Sequence, residues 1–176
     1  MIPPPEFSRA VGIETLQAAP REIAIEADKQ ERAALAARFG LIAVDSLSAE
    51  VELSRDGDTI AARGTLSATL TQSCVATAEP VPAILKETFE IAFRPVPDAA
   101  MGEEEVELGE DELDVIFYQS GTIDIGEAVA ETLFLSLDPY PRAPQAEEAL
   151  RAAGVISEED VRPAGALAGL KDLLGK

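Results

Sequence analysis

Histidine is absent from the chain, and cysteine occurs once, at Cys74. The chain therefore cannot form an internal disulfide, and it cannot supply the four Cys or His ligands that a structural zinc ion normally takes. The usual general base at neutral pH is also missing, which excludes the Ser–His and Cys–His nucleophile systems. We expect a protein that is not an enzyme and needs no metal or cofactor, with Cys74 as a buried or half-buried structural thiol.

Long apolar runs are missing as well. The longest run falls far short of the roughly 18–20 residues that a membrane span requires. Residues 1–6 contain no basic stretch followed by an apolar run, so they do not have the pattern of a signal peptide. We therefore expect a cytoplasmic protein, and the 176 residues suffice for one domain with a core, plus tails.

Positive charge is absent from residues 95–141, where every charged residue is Asp or Glu, and the formal net charge of the chain is −19. Nucleic-acid binders usually carry a basic surface, whereas an acidic field repels RNA and attracts cationic proteins. Solubility alone is the alternative explanation for such a charge run. The acids at Glu103, Glu104 and Glu105 lack the ligand order of a calcium loop, which favours a solvated loop over a cation site.

Alternation of apolar and polar residues predicts strands in the first half of the chain. The pattern covers residues 41–55 and resumes over residues 58–74, and Asp56 and Gly57 between them form a favoured hairpin turn. Pro80 and Pro82 interrupt the pattern. Further strands are predicted over residues 21–27, 83–94 and 113–118.

Two helices with acidic caps are also predicted. Asp28 caps the first, over residues 29–39. Asp124 caps the second, over residues 125–137, whose apolar residues lie on one face and which ends before two prolines. Shorter helical segments follow over residues 145–153 and 165–174.

These elements predict an α+β fold, in which an antiparallel β-sheet built on a long hairpin is followed by C-terminal helices packed on it. We expect three segments along the chain. They are a flexible N-terminal arm (residues 1–20), an α+β core domain (residues 21–143) and a short helical C-terminal tail (residues 144–176).

Residues 121–131 have the sequence Gly-Thr-Ile-Asp-Ile-Gly-Glu-Ala-Val-Ala-Glu. This segment resembles the signature of the YceD family, in which a Gly-x-Ile-Asp-Leu stretch opens a helix with an internal acid. The family helix continues into Leu-x-Leu and then prolines, as it does here at Leu133, Leu135 and Pro139. Weaker similarity covers residues 47–176.

The resemblance implies a non-enzymatic bacterial factor that supports accumulation of large-subunit (23S) ribosomal RNA and ribosome biogenesis. Many family members carry Cys-x-x-Cys where this chain has Cys74-Val75-Ala76-Thr77, and some have a second cysteine cluster after the helix. Both features are incomplete or absent here, so a metal-binding role inferred from such relatives does not carry over.

The charge distribution and the family resemblance together predict that the partner is a basic ribosomal or assembly protein. Ribosomal RNA would be contacted directly or indirectly. We expect no binding to a membrane or to DNA. The acidic surface over residues 98–131 would dock this partner, and the helix after Asp124 would support it. The residues predicted to bind are Gly121, Asp124, Glu127, Glu131, Pro139, Tyr140, Pro141 and Arg142.

Two alternatives remain open at this point. A direct RNA-binding protein would need a local basic patch. A hydrolase based on carboxylates would need a cleft with two facing acids whose pKa values are raised. The basic residues available for a patch are Arg21, Lys29, Arg32, Arg38, Arg142, Arg151, Arg162, Lys171 and Lys176.

Overall fold

A computed structural model describes residues 5–97, 114–119 and 121–155 of the chain. Its strands are β1 (Ala10–Gly12), β2 (Arg21–Glu26), β3 (Ala43–Asp56), β4 (Thr59–Ser73), β5 (Pro80–Pro95), β6 (Asp114–Tyr118) and β7 (Thr122–Asp124). Its helices are α1 (Lys29–Phe39), α2 (Ile125–Leu135) and α3 (Ala146–Ala152), and a single 3-10 turn covers Ile13–Thr15. The α+β class is confirmed.

The chain divides into two compact units. The first contains residues 1–72 and 82–139, and the second contains residues 73–81 and 140–176. Among the described residues, no helix has the length and hydrophobicity needed to cross a membrane.

Five strands form the main sheet in the order β2-β3-β4-β5-β6. β3 pairs antiparallel with β2 and with β4, and the β3–β4 register places Leu53 opposite Ala62. β5 and β6 run parallel, which corrects the expectation of a wholly antiparallel sheet. A parallel pair needs a connection of a dozen or more residues, and residues 96–113 provide one.

One face of this sheet is buried. The inward positions of β3 and β4 are those that the alternating pattern predicts: Leu47, Ala49, Val51, Leu53, Ile60, Ala62, Leu66, Ala68 and Leu70. Gly64 lies in phase with them but has no side chain to contribute. A Cβ there would lie 2.4 Å from the Glu50 carbonyl oxygen and 2.8 Å from the Phe89 ring, so the neighbouring backbone and this ring leave no room for a side chain.

The N-terminal segment contributes to the same core. Phe7, Ile13 and Leu16 are buried, and β1 pairs antiparallel with β7. The sequence predicts a flexible arm over residues 1–20, whereas the structure packs residues 7–16 against the core. Gly126 permits this approach, because a Cβ at this position would lie 2.3 Å from the Phe7 carbonyl oxygen.

Acidic residues cap both long helices, as predicted. The Asp28 carboxylate accepts hydrogen bonds from the Gln30 and Glu31 amides, and Glu31 accepts one from the Asp28 amide, which completes a capping box. α2 ends at Leu135, two residues before the predicted end. The buried face of α2 shares one apolar core with the sheet, through Ile125, Ala128, Val129 and Leu133.

The second unit has a small apolar cluster of its own. Cys74, Ala143 and Ala146 are buried in it, and Val81 packs against them. The predicted burial of Cys74 is confirmed. Its sulfur accepts a hydrogen bond from the Ala143 amide, which is the largest cause lowering the pKa of the thiol to about 7. The helix predicted over residues 165–174 lies outside the described residues.

Candidate functional site

The segment that resembles the family signature begins with a tight turn. Gly121 has a φ of 68°, a backbone conformation that favours glycine. Its carbonyl oxygen accepts a hydrogen bond from the Ile13 amide at 2.9 Å. Gly121 therefore has a structural role, because its turn and its carbonyl oxygen link the N-terminal segment to the start of β7.

Asp124 joins three parts of the first unit. It caps α2 by accepting a hydrogen bond from the Glu127 amide at 3.1 Å. It also accepts one from the Arg9 amide at 2.8 Å and one from the Ser8 hydroxyl. The predicted cap is confirmed, and both carboxylate oxygens are occupied by contacts within the chain.

The Glu127 carboxylate also accepts hydrogen bonds from within the chain. Arg38 of α1 donates to its two carboxylate oxygens at 2.7 and 2.9 Å, and Arg38 also donates to Glu6 at 2.9 Å. The hydrogen bond to Glu127 is the largest cause raising the pKa of Arg38. Glu127 therefore ties α1 to α2, and the positive charge of Arg38 is neutralised locally.

Glu131 lies one turn further along α2 and differs from the two acids before it. It is exposed and has no ion-pair partner among the described residues. Partial desolvation raises the pKa of its carboxyl group, and the negative charge of Glu127 adds to this effect. Of the acids predicted on α2, Glu131 is the one available to an outside cation.

The C-terminal end of α2 exposes large apolar side chains next to this acid. Phe134 is 51% exposed and Leu135 is 78% exposed. The Phe134 ring packs against the ring of Phe39, the last residue of α1, with 5.1 Å between the ring centroids. We call Phe39, Phe134 and Leu135 the helix-end patch.

The remaining predicted binding residues stand at or after the end of α2. Pro139 and Tyr140 are exposed, Pro141 is buried and Arg142 is exposed. Pro139 belongs to the first unit, whereas Tyr140, Pro141 and Arg142 belong to the second. The acids predicted over residues 98–113 lie outside the described residues.

The structure also brings together acids that the sequence did not group. Glu22 of β2 and Glu52 of β3 are direct cross-strand partners on the outer face of the sheet, and Glu50 lies two residues from Glu52 on that face. They line a depression of about 510 Å³ together with Arg63. Like charges directly opposite each other disfavour strand pairing. The polar face was visible in the sequence, but the pairing that sets Glu22 beside Glu52 was not.

The positions of these glutamates favour a binding function over a catalytic one. Glu22, Glu50 and Glu52 are exposed around an open depression, and Glu131, whose pKa is raised, lies on the outer surface of α2 and not in a cleft. In the described part of the chain, no group of three or more Cys, Asp or Glu residues is placed to hold a metal ion. Paired carboxylates for hydrolysis would require a cleft that faces them toward each other.

Several of the basic residues that could bind RNA already contact other groups of the chain. Arg38 is bound to Glu6 and Glu127, and Arg151 donates to Glu147 at 2.6 Å. Arg32 donates to the Ala27 carbonyl oxygen at 2.6 Å. Arg162, Lys171 and Lys176 lie outside the described residues.

The chain matches a known protein family. A protein-family model described as "Large ribosomal RNA subunit accumulation protein YceD" matches residues 62–174, well over half of the chain. No curated protein sequence and no solved structure matches the chain significantly.

Proposed function

Because the chain belongs to the YceD family, as its sequence predicted, we propose that it supports accumulation of large-subunit ribosomal RNA by binding a basic ribosomal or assembly protein. It would do so as a non-enzymatic factor in the cytoplasm, where bacterial ribosomes assemble. The family name supplies the link to ribosomal RNA, and the mode of action is our inference from charge and geometry.

The observation that carries this proposal is the exposed negative charge on the sheet and on α2. Glu22 and Glu52 face each other beside Arg63, which is paired with Glu90. Glu131 has no ion-pair partner among the described residues. The formal net charge of −19 adds a long-range field of the same sign. Such a field steers cationic proteins toward the surface and repels the phosphate backbone of RNA.

The predicted binding residues have different tasks in this proposal. Gly121, Asp124 and Glu127 support the surface, because their polar groups are engaged within the chain. Glu131 supplies a direct contact to the partner. Arg142 and Tyr140 remain proposed contacts of the second unit.

Direct RNA binding is the second candidate function. It would depend on exposed basic residues such as Arg142 and Arg151 of the second unit. The ion pairs of Arg38 with Glu6 and Glu127 argue against direct RNA binding, because an RNA phosphate would have to displace two carboxylates.

A pull-down from bacterial lysate, with and without ribonuclease, tests the proposal. We expect a basic ribosomal or assembly protein that is retained at low salt, lost at high salt and unaffected by ribonuclease, because screening weakens contacts between exposed charges. Recovery of large-subunit ribosomal RNA without any bound protein would contradict it.

A further inference from the structure

Apolar side chains from the C-terminal ends of two helices meet in one place, partly buried on α1 and exposed on α2. Phe39 ends α1, Phe134 and Leu135 end α2, and the two phenylalanine rings are in contact. Ile42, three residues after Phe39, is also half exposed. Single exposed apolar residues are ordinary on protein surfaces, whereas adjoining ones mark interaction surfaces.

Within the helix-end patch, Phe39 packs partly against the core, whereas Phe134 and Leu135 are exposed. α2 buries its opposite face through Ile125, Val129 and Leu133, each no more than 1% exposed. Leu135 by contrast leaves 78% of its surface in water. Removing apolar surface from water is favourable, so a partner that packs on Phe134 and Leu135 gains affinity from this contact.

The electrostatic surroundings of the patch favour a cation. Glu131 precedes Phe134 by three residues and Leu135 by four, so it lies on the same side of α2. The last turn of α2 contains no basic residue, and the C-terminus of a helix carries partial negative charge. The nearby positive charge of Arg38 is already bound to Glu6 and Glu127.

We infer that the helix-end patch is the anchor point for a basic, amphipathic segment of the partner protein. An apolar side chain of that segment packs on Phe134 and Leu135, and a Lys or Arg within one helical turn of it pairs with Glu131 near the negative end of the α2 dipole. This inference rests on the proposed function, and it adds where the partner docks and what its binding segment contains.

A second copy of the chain fits this patch poorly. Two copies would bring together surfaces of the same sign, each on a chain with a net charge of −19. They would also place two Glu131 carboxylates close to one apolar contact, which desolvates both without a counter-charge. A basic partner instead supplies the charge that Glu131 and the helix end lack.

Photo-crosslinking from position 135 tests the inference in the full chain. A benzophenone amino acid replaces Leu135, and the matched control replaces Ile84, a residue of β5 that is 83% exposed. We expect position 135, and not position 84, to crosslink a protein at a peptide that carries Lys or Arg within four residues of a large apolar side chain. Introducing Glu131→Lys should reduce this crosslink about tenfold.

Other outcomes would overturn the inference. These are a crosslink from position 135 to a second copy, to the same chain or to RNA, equal crosslinking from positions 135 and 84, and no crosslink from either. Recovery of the basic protein with Leu135→Asp at the wild-type level would show that the proposed function holds and the docking site is elsewhere. Absence of a basic protein with every variant would instead reject the proposed function itself.

Discussion

Arg38 of α1 donates two hydrogen bonds to the Glu127 carboxylate of α2, although the two residues lie 89 positions apart in the sequence. The same guanidinium reaches Glu6 in the N-terminal segment. Arg9 makes a second bidentate contact, to Glu31 of α1, at 2.6 and 2.9 Å. These ion pairs hold the N-terminal segment, α1 and α2 together beside the core, and they fix the position of the helix-end patch.

Replacing Arg38 with Met should lower the free energy of unfolding by about 1 kcal/mol, because a partly buried bidentate pair is worth more than an exposed one. Urea denaturation measures this change. A double-mutant cycle with Glu127→Gln should give a coupling of about 0.5–1 kcal/mol. The exposed pair Arg63–Glu90 serves as the control and should couple more weakly. Equal coupling energies for the two pairs would contradict the proposal that Arg38 holds α1 and α2 together.

Asp124→Ala should cost more stability than Asp28→Ala. Each substitution removes a helix cap, which is worth about 1 kcal/mol. Asp124 in addition holds the Arg9 amide and the Ser8 hydroxyl, so its loss also frees the N-terminal segment. Hydrogen exchange at the Arg9 amide should accelerate in Asp124→Ala and not in Asp28→Ala. Equal losses of stability, with unchanged exchange at Arg9, would contradict this role.

Gly126→Ala should destabilise the protein even though alanine is the better helix former. Helix propensity alone predicts a gain of about 1 kcal/mol. The new Cβ would lie 2.3 Å from the Phe7 carbonyl oxygen and 2.9 Å from the Arg9 amide nitrogen, so the N-terminal segment must move. We expect a net loss of about 1–3 kcal/mol. A stabilised variant in thermal denaturation would show that residues 7–9 do not pack on α2 as described.

Two glutamates should respond to pH with opposite signs. The hydrogen bond from Arg9 lowers the pKa of Glu31 below its ordinary 4.5, so Glu31 stabilises the fold above about pH 4.5 and this contribution is lost as the pH falls through the lowered value. Desolvation raises the pKa of Glu131, so its ionised form disfavours the fold at neutral pH. This penalty declines as the pH falls through the raised value and is gone below about pH 4.5.

Glu31→Gln should therefore destabilise the protein at pH 7, and Glu131→Gln should stabilise it slightly. The Glu131 difference should vanish below about pH 4.5, and the Glu31 difference should shrink only as the pH falls through the lowered pKa of Glu31. Denaturation curves over a series of pH values from 7 downward check this pair of signs. A loss of stability in Glu131→Gln at pH 7 would mean that Glu131 has a stabilising partner.

The sequence predicted those structural features that depend on residues close together along the chain. The alternation from Leu47 to Leu53 predicted which face of β3 is buried, because neighbouring side chains of a strand point to opposite faces. Asp28 and Asp124 marked the helix starts, because capping depends on residues only three apart. Gly121 and Asp124 were recognisable as part of a motif, and the structure adds that they hold the N-terminal segment.

Long-range pairing could not be deduced in the same way. Phe7, Ile13 and Leu16 follow no regular period, so nothing local indicated that they are buried. The parallel pairing of β5 with β6 depends on the path of the chain between them. Glu22 and Glu52 become neighbours only through the register of β2 on β3. The helix-end patch likewise depends on two helix ends that meet in space.

The ratio of large-subunit to small-subunit ribosomal RNA in cells lacking the protein tests the central claim most directly. Cells are complemented with the wild type, with Glu131→Lys, or with Arg21→Glu combined with Arg151→Glu, two exposed basic residues with no role in the proposed protein contact. If the chain acts through a basic protein partner, the wild type and the double arginine variant restore the ratio and Glu131→Lys does not. Restoration by Glu131→Lys together with failure of the double arginine variant would contradict the account and indicate direct binding of RNA.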